Sequence, residues 1–451
     1  MKITSIILAA GKGTRMRSSL PKVLHPLAGK PMIWYLLQSA RQVSTEVPVV
    51  VVGHEGKEVQ NVVGDAARFV LQEPQLGTGH AVQMTESVLR DQTDLVLVCY
   101  ADMPLLSPNI FQTMIEVQTQ NSGPLTILTL VQEDSHGFGR IVRFPDGTVK
   151  AIVEEIAAIP EQLAIKETNV GVYCIRADWL WQALPRIPLS VKGEYFLTDL
   201  VGIAAADGGK VQAVVMQDAE EAIGINTRVH LAEAEAILRR RINRQWMEAG
   251  VTLINPEVTY IEPDVRIGRD TVIYPNTYLR GDTVIGENCR IGPDAILDGC
   301  RVGNGCRILA SVLDRGSVLE DDVEMGPYCH LRKGAHLGSH VHLGNFGEVK
   351  NSYLAEGVKM GHFSYIGDAT IGHNVNIGAG TITCNYDGEK KHKTEIGDDA
   401  FVGSDTLLVA PVKVGNRART GAGAVVTHDV PDGVTVVGVP ARPLVKKERS
   451  D

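Results

Sequence analysis

The chain is 451 residues long, more than one ordinary domain needs and enough for two or three. A hydrophobic content of 44% supplies sizeable cores, and a net charge of −9 gives no reason to expect nucleic acid or an anionic membrane as partner. Seven Cys without a CxxC pair read as free thiols in a reducing compartment. No run is apolar for long enough to span a bilayer, and the first residues, MKITSIILAAGKG, break into a Gly loop too early for a signal peptide. The expected location is the cytoplasm.

Residues 3–10 are short, β-rich and apolar throughout, which predicts a buried parallel strand followed by the loop Gly11–Met16. Strands over 47–52 and 95–99 alternate with helical patterns over 31–42 and 79–90, which predicts an α/β domain with a mostly parallel sheet. Ligands of such sheets bind beyond the carboxyl ends of the strands, where Gly11–Met16, Gln72–Gly79 and Tyr100-Ala101-Asp102 would lie. Residues 227–250 then read as one helix with a stripe of Leu231, Leu238, Ile242, Trp246 and Ala249, an i,i+4 pair of Glu235 and Arg239, and Gly250 as its cap. At 1.5 Å per residue it spans about 35 Å and would serve as a semi-rigid arm. The predicted organisation is a domain over 1–226, a linker helix over 227–250 and a second domain over 251–451.

From Ile261 an aliphatic residue recurs every six positions: Ile267, Ile273, Leu279, Ile285, Ile291 and Leu297. Two residues before each, from Ile267 onward, stands a small or β-branched one. A period of six fits neither an amphipathic helix nor an alternating strand, and it does fit a parallel β-helix of hexapeptide repeats. Counted in sixes, the register slips after Leu297, resumes from Leu313 to Leu343, and breaks over 344–365. It partly recovers at Ile371 and Ile377, is interrupted over 384–395, and runs again from Ile396 to Val426. Interruptions of a regular coil are where function is expected. His330, His336 and His342 each precede a register position, so they should point outward from three faces and form no metal site. The tail from Val439 is polar and Pro-interrupted, which predicts partial disorder.

Gly11-Lys12-Gly13-Thr14 is a Gly-rich turn after a strand, able to approach phosphates closely. It is neither a Walker A nor a dinucleotide fingerprint, but Arg15 and Lys22 place two cations beside it. LAAGKGTRM (from Leu8, Ala9, Ala10 and Gly11) followed by PKVLHPLAGKPM resembles the signature of sugar-phosphate nucleotidyltransferases. QEPQLGTGHA, with Gln72, Gly77 and Thr78, looks like the base-recognition segment of the uridylyl-transferring members. The whole order of parts, over nearly all of residues 3–440, resembles the family of bacterial bifunctional N-acetylglucosamine-1-phosphate uridyltransferase/glucosamine-1-phosphate N-acetyltransferases.

The resemblance implies a Rossmann-like nucleotidyltransferase domain joined by a long helix to a left-handed β-helix acetyltransferase domain, assembled as a homotrimer with sites between subunits. It implies that glucosamine 1-phosphate is acetylated with acetyl-CoA, and that the product and UTP give UDP-N-acetylglucosamine and pyrophosphate for cell-wall precursors. In the first half it assigns Arg15 and Lys22 to the phosphates, Asp102 and Asn226 to Mg²⁺, Tyr100 and Ala101 to the nucleotide, and Gly139, Glu154 and Asn169 to the sugar. In the second half it makes His362 the base that takes the amine's proton, a role that suits a side chain titrating near neutrality. Arg332 and Lys350 then bind the sugar phosphate, with Tyr365 and Asn376 beside the sugar. Asn385, Tyr386, Ala379, Ser404 and Ala422 line the acetyl-CoA channel. Where the family often carries an Arg for the CoA phosphates this chain has Gly438, and Arg442 is the substitute. The alternatives are a single-activity nucleotidyltransferase whose coil is regulatory or structural, and a non-enzymatic scaffold built on the coil.

Overall fold

The structure, a computed structural model, describes residues 1–11, 13–53, 56–191 and 193–444. Lys12 of the Gly-rich turn and tail residues 445–451 lie outside the described residues. Two compact units, Met1–Ile237 and Leu238–Asp451, make up the chain.

The first unit is built on the apolar runs. β1 (Ile3–Ala9), β2 (Val49–Val52), β3 (Arg68–Leu71), β4 (Leu95–Tyr100), β5 (Leu125–Val131), β6 (Arg140–Arg143), β7 (Val149–Val153), β8 (Glu167–Arg176) and β9 (Val211–Val215) form one sheet. Its main order is β9-β5-β8-β4-β1-β2-β3, with β6 and β7 as a hairpin attached to β8. β8 runs against β4 and β5, whereas β1 pairs in parallel with both β4 and β2. All four residues of β2 and five of six in β4 are buried, as continuous apolar strands require when helices cover both faces. Separate clusters of buried side chains pack on the two faces of the sheet. The predicted helix over 79–90 is two pieces, Thr78–Gln83 and Glu86–Leu89, joined through Met84 and Thr85. A register shift in β8 between Asn169 and Tyr173 brings Gly171, at φ +92°, so close to Tyr100 that a Cβ would stand 2.6 Å from its ring. Only Gly permits that approach.

The helix Arg228–Glu248 is continuous for 21 residues. Its first part belongs to the first unit: Glu235 accepts from the backbone N–H of Ala28 at 2.7 Å. Its last part belongs to the second, where Ile242 and Trp246 pack on the coil's core and Asn243 caps it by donating to the carbonyls of Pro256 and Thr259. The expected Glu235–Arg239 pair does not form, because Arg239 stacks over the ring of Tyr260, 4.8 Å from its centroid. Gly250 takes φ +96° as the predicted cap.

The second unit is a parallel β-helix. Its short strands form three sheets of 12, 10 and 9 strands, each strand pairing with the third one along the chain until the last turn, which ends in an antiparallel hairpin. Ile273 pairs with Ile291, one turn and eighteen residues later. The register aliphatics point into a common core, each contributing roughly 1.5–3 kcal/mol on burial. Corners are turned by Asp and Asn at positive φ, as at Asp270, Asn276, Asn288 and Asp294, the side chains that tolerate that conformation after Gly.

Two expectations need correction. The slip after Leu297 is no interruption: Val302 and Ile308 carry the core onward, and the phase changes because some steps are five residues long. Nor does the coil break over 344–365, where Val349, Leu354 and Met360 are all fully buried. The interruption predicted over 384–395 is an excursion loop over 385–393, between the strands Ile382–Cys384 and Thr394–Ile396. His330, His336 and His342 lie on three different sheets, facing outward as expected.

Candidate active sites

In the first unit the site forms where β1 and β4 end together. Leu8 is in register with Tyr100, and the N–H of Ala101 donates to the carbonyl of Leu8 at 3.0 Å. The chain beyond both strands therefore opens into one cavity of about 840 Å³, lined by Leu8, Ala9, Ala10, Gly11, Lys22, Gln72, Gly77, Thr78, Tyr100 and Asp102. Ala101 is buried beneath it. Gly13 is at φ +59°, and a Cβ there would meet Cβ of Lys22 at 2.6 Å, so the turn's second Gly is what lets Lys22 lie against it.

Lys22 Nζ donates to Asp102 Oδ2 at 2.6 Å and to Asn226 Oδ1 at 3.1 Å. Arg15 Nη2 donates to the same Asn226 oxygen at 2.9 Å. A backbone bond from Ile225 N–H to the carbonyl of Asp102, 2.8 Å, fixes Asn226 beside Asp102. Four residues from three distant segments thus converge on two oxygens and two cations. Gln72 Nε2 donates to the carbonyl of Gly77, and Gln75 Nε2 to that of Ala10, tying the Gln72–Gly79 segment to the end of β1.

A second cavity of about 740 Å³ adjoins the first, sharing Thr78, Tyr100 and Phe196. Gly139, Glu154 and Asn169 line it together: a Cβ on Gly139 would stand 3.6 Å from Glu154 Oε1 and 3.8 Å from Cβ of Asn169. Asn169 Nδ2 donates to the Tyr173 hydroxyl at 2.9 Å. Burial pushes the Tyr100 hydroxyl up to about 12, so it stays a neutral hydrogen-bonding group at physiological pH. Glu194, Phe196, Thr198 and Asp199, which complete the walls, carried no sequence signal.

In the second unit the predicted residues divide. Arg332, Lys350, Tyr365 and Asn385 follow the strands of the ten-stranded face on successive turns, with Lys350 in register with Gly367 and Glu348 with Tyr365. Arg332 Nη1 donates to Glu348 Oε1 at 2.9 Å. Lys391 beside it, then the charge of Arg332, hold the Lys350 ammonium below its ordinary range. The centre of the group is a residue the sequence did not single out. Asp368 accepts from Asn351 and Asn385, both at 2.6 Å, and faces Lys391 at 4.0 Å. Tyr386 is exposed on the excursion loop.

His362 stands on the corner after the strand Lys359–Met360, exposed, and makes no side-chain hydrogen bond among the described residues. Asn376 lies on the twelve-stranded face, one turn beyond Lys359 and around that corner from Tyr365. Ala379, Ser404 and Ala422 stack above the corner on successive turns: Asp405 N–H donates to the carbonyl of Ala379, and Gly423 N–H to that of Ser404. Ser404 and Ala422 are exposed and Ala379 partly so, three small side chains in one track along the corner. Arg442 sits on the terminal hairpin, in register with Val437, and Gly438 makes the turn at φ +91°.

A model of the MobA-like NTP transferase domain matches residues 5–168. The bacterial transferase hexapeptide model matches 264–298 and 282–313, and the hexapeptide repeat of succinyl-transferase matches 393–428. Among curated proteins, one from Heliobacterium modesticaldum is 47% identical over 97% of this chain and 95% of its own length. A protein of Geotalea uraniireducens is 46% identical over 97% of both chains, and one of Pelobacter propionicus 45% identical over 99% of this chain and 97% of its own. Each of the three carries the name bifunctional protein GlmU.

Proposed function

Because the chain belongs to the family of the bifunctional protein GlmU, we propose that it performs two reactions in series at the two sites. The coil acetylates glucosamine 1-phosphate with acetyl-CoA. The α/β unit then joins the N-acetylglucosamine 1-phosphate to UMP from UTP, releasing pyrophosphate. The observation that carries the second step is the junction of Lys22 with both Asp102 and Asn226, beside a Gly-rich turn and at the wall of the first cavity, which Lys22 and Asp102 line.

Uridylyl transfer brings two anions together: a sugar phosphate oxygen attacks the α-phosphorus of UTP in line, and pyrophosphate leaves. Catalysis is then mostly positioning and charge neutralisation. The cavity with Gln72, Gly77 and Thr78 takes the nucleotide, and the one with Gly139, Glu154 and Asn169 takes the sugar, so the phosphates meet at Lys22 and Arg15. Asp102 and Asn226 fit a hard divalent cation, since both offer oxygen and one ammonium already touches both of them. When bound, Mg²⁺ supplies positive charge at the phosphate oxygens. Lys22 is then free to turn from Asp102 to the phosphates.

Acetyl transfer needs the amine deprotonated as it attacks the thioester. His362 takes that proton, and the tetrahedral intermediate collapses with CoA thiol as leaving group. Arg332 and Lys350 offset the sugar phosphate's charge. The Ala379, Ser404 and Ala422 track carries the cofactor, with Asn385 and Tyr386 near the acyl group and Arg442 toward the CoA phosphates. Among the described residues the His362 side chain has no hydrogen-bond partner, and Asn376 lies on a different sheet from Lys350, which supports a site completed by a second copy in a homotrimer built through the coil. We place the enzyme in the cytoplasm; no helix among the described residues is long and apolar enough to cross a membrane.

One coupled assay tests the proposal. With UTP, Mg²⁺, acetyl-CoA and glucosamine 1-phosphate the chain should release CoA and pyrophosphate, and omitting acetyl-CoA should stop both. Pyrophosphate release from N-acetylglucosamine 1-phosphate with no CoA release from glucosamine 1-phosphate would leave a single-activity nucleotidyltransferase.

A further inference from the structure

The strip from His136 to Gly139 forms one wall of the sugar cavity through Gly137, Phe138 and Gly139. Three contacts fix it. The Glu155 carboxylate accepts from the N–H of Gly137 and lies 2.6 Å from His136 Nδ1. Arg140 Nη1 donates to the carbonyl of Phe138. The carbonyl of Gly139 accepts from the N–H of Asn169 at 2.9 Å.

Arg140 is the unusual member. It is only 3% exposed, its Nε is buried without a hydrogen-bond partner, and no carboxylate of the described residues stands within ion-pair distance. A guanidinium buried so incompletely paired is costly, and a position serving packing alone would be met more cheaply by an apolar side chain such as its neighbour Ile141. Its place in register, opposite Val153 and Thr168, sets it beside the residues immediately preceding Glu154 and Asn169. Glu155 answers from the other side. The Gly137 N–H, then His136 and the charge of Arg140, hold its carboxyl below the usual range, so it is ionised at neutral pH.

We propose that Arg140 and Glu155 are positioning residues for the sugar substrate, a clamp that holds the Gly137–Gly139 strip in the shape that meets the sugar beside Glu154 and Asn169. The inference rests on the uridylyl-transfer reading above. Neither residue lines the nucleotide cavity. A strip already ordered pays no ordering entropy when the sugar binds, whereas a loosened strip pays it each time. The clamp therefore acts on sugar affinity and leaves the nucleotide and the chemical step alone.

The test is uridylyl transfer by the full chain, with N-acetylglucosamine 1-phosphate and UTP varied separately. Glu155→Ala should raise the sugar phosphate's KM about tenfold, the worth of one charge-assisted hydrogen bond, while kcat and the KM for UTP stay within about twofold. Arg140→Met should do the same, and Arg140→Lys should recover much of the loss, because an ammonium can still reach the Phe138 carbonyl. Acetyl transfer by the same preparations should be unchanged. If Arg140→Met does not fold, Glu155→Ala and Arg140→Lys decide. An unaltered sugar KM in Glu155→Ala, or equal rises for sugar and UTP, would overturn the clamp. A wild-type chain without uridylyl transfer would overturn the underlying reading instead, so the two failures are told apart.

Discussion

The α/β unit assembles its site from residues up to 211 positions apart, while the coil's hydrogen-bonded site pairs are sixteen or seventeen residues apart. In the sheet, position depends on topology: β1 and β4 are parallel neighbours, so loops far apart in sequence emerge side by side. In the coil, position depends on counting: a residue one turn later stands directly above. The first arrangement closes a complete cavity within one chain. The second gives columns on open faces, and leaves His362 on a corner and Asn376 on a different sheet from Lys350. A solenoid can thus present half-sites cheaply and complete them only by association.

The sharpest way to break this contrast is to remove one group from each site. Asp102→Ala should cut uridylyl transfer by at least about a thousandfold, with Lys22 losing its carboxylate and the cation its charged ligand, and should spare acetyl transfer. His362→Ala should lower acetyl transfer about 10²–10⁴-fold, the usual worth of a general base, and spare uridylyl transfer. Loss of both activities in either folded variant would mean that the sites are not separate. Next in size is a cavity in the coil. Leu331 is fully buried, and Leu331→Ala should cost about 2–5 kcal/mol, read as an earlier thermal transition with acetyl transfer lost first. Simultaneous loss of uridylyl transfer on heating would show that the units do not unfold independently.

Smaller again is Asp368→Asn. The amide keeps one of the two bonds donated by Asn351 and Asn385, since its NH2 cannot accept the other, and it no longer offsets Lys391, whose charge then bears fully on Lys350. The KM for glucosamine 1-phosphate should change by about tenfold, the scale of one charged hydrogen bond, with kcat little altered. An unchanged KM would reduce Asp368 to a turn residue.

That residue shows where sequence reading ran out. An Asp on a tight corner at φ +52° is what many corners of this coil carry, so nothing in the letters sets Asp368 apart from Asp270 or Asp294. Its role appears only when the excursion loop folds back to put Asn385 and Lys391 beside it. The break read over 344–365 failed for a related reason. A coil tolerates five-residue steps by shortening a corner, so strict counting in sixes loses phase while the core continues through Val349, Leu354 and Met360. In the α/β unit, β1, β2 and β4 were legible because buried parallel strands are continuously apolar. Arg15 and Lys22 were legible from their place after the Gly-rich turn, but Glu154 needed the family resemblance. Glu194 and Phe196 were not legible. They reach the cavity because Tyr195 N–H bonds the carbonyl of Leu76, a backbone contact that no side-chain pattern announces.

The smallest effect tests electrostatics at the wall of the α/β unit's second cavity. Asp199 lines this cavity half-buried, and burial first, then the charge of Glu154, holds its carboxyl above the usual range. The folded chain therefore keeps this proton over a window in which the unfolded chain has lost it. Stability from this group is greatest below the ordinary aspartate value of about 3.9, falls as pH rises through the folded value, and stays at the reduced level beyond. Asp199→Asn removes the ionisation, so its melting temperature should exceed the wild type's more at neutral pH than near the ordinary aspartate value. The difference should be under about 2 °C, since solvent screens a half-exposed carboxyl. A gap of the same size at both pH values would show that packing, and not charge, sets what this residue does to the cavity.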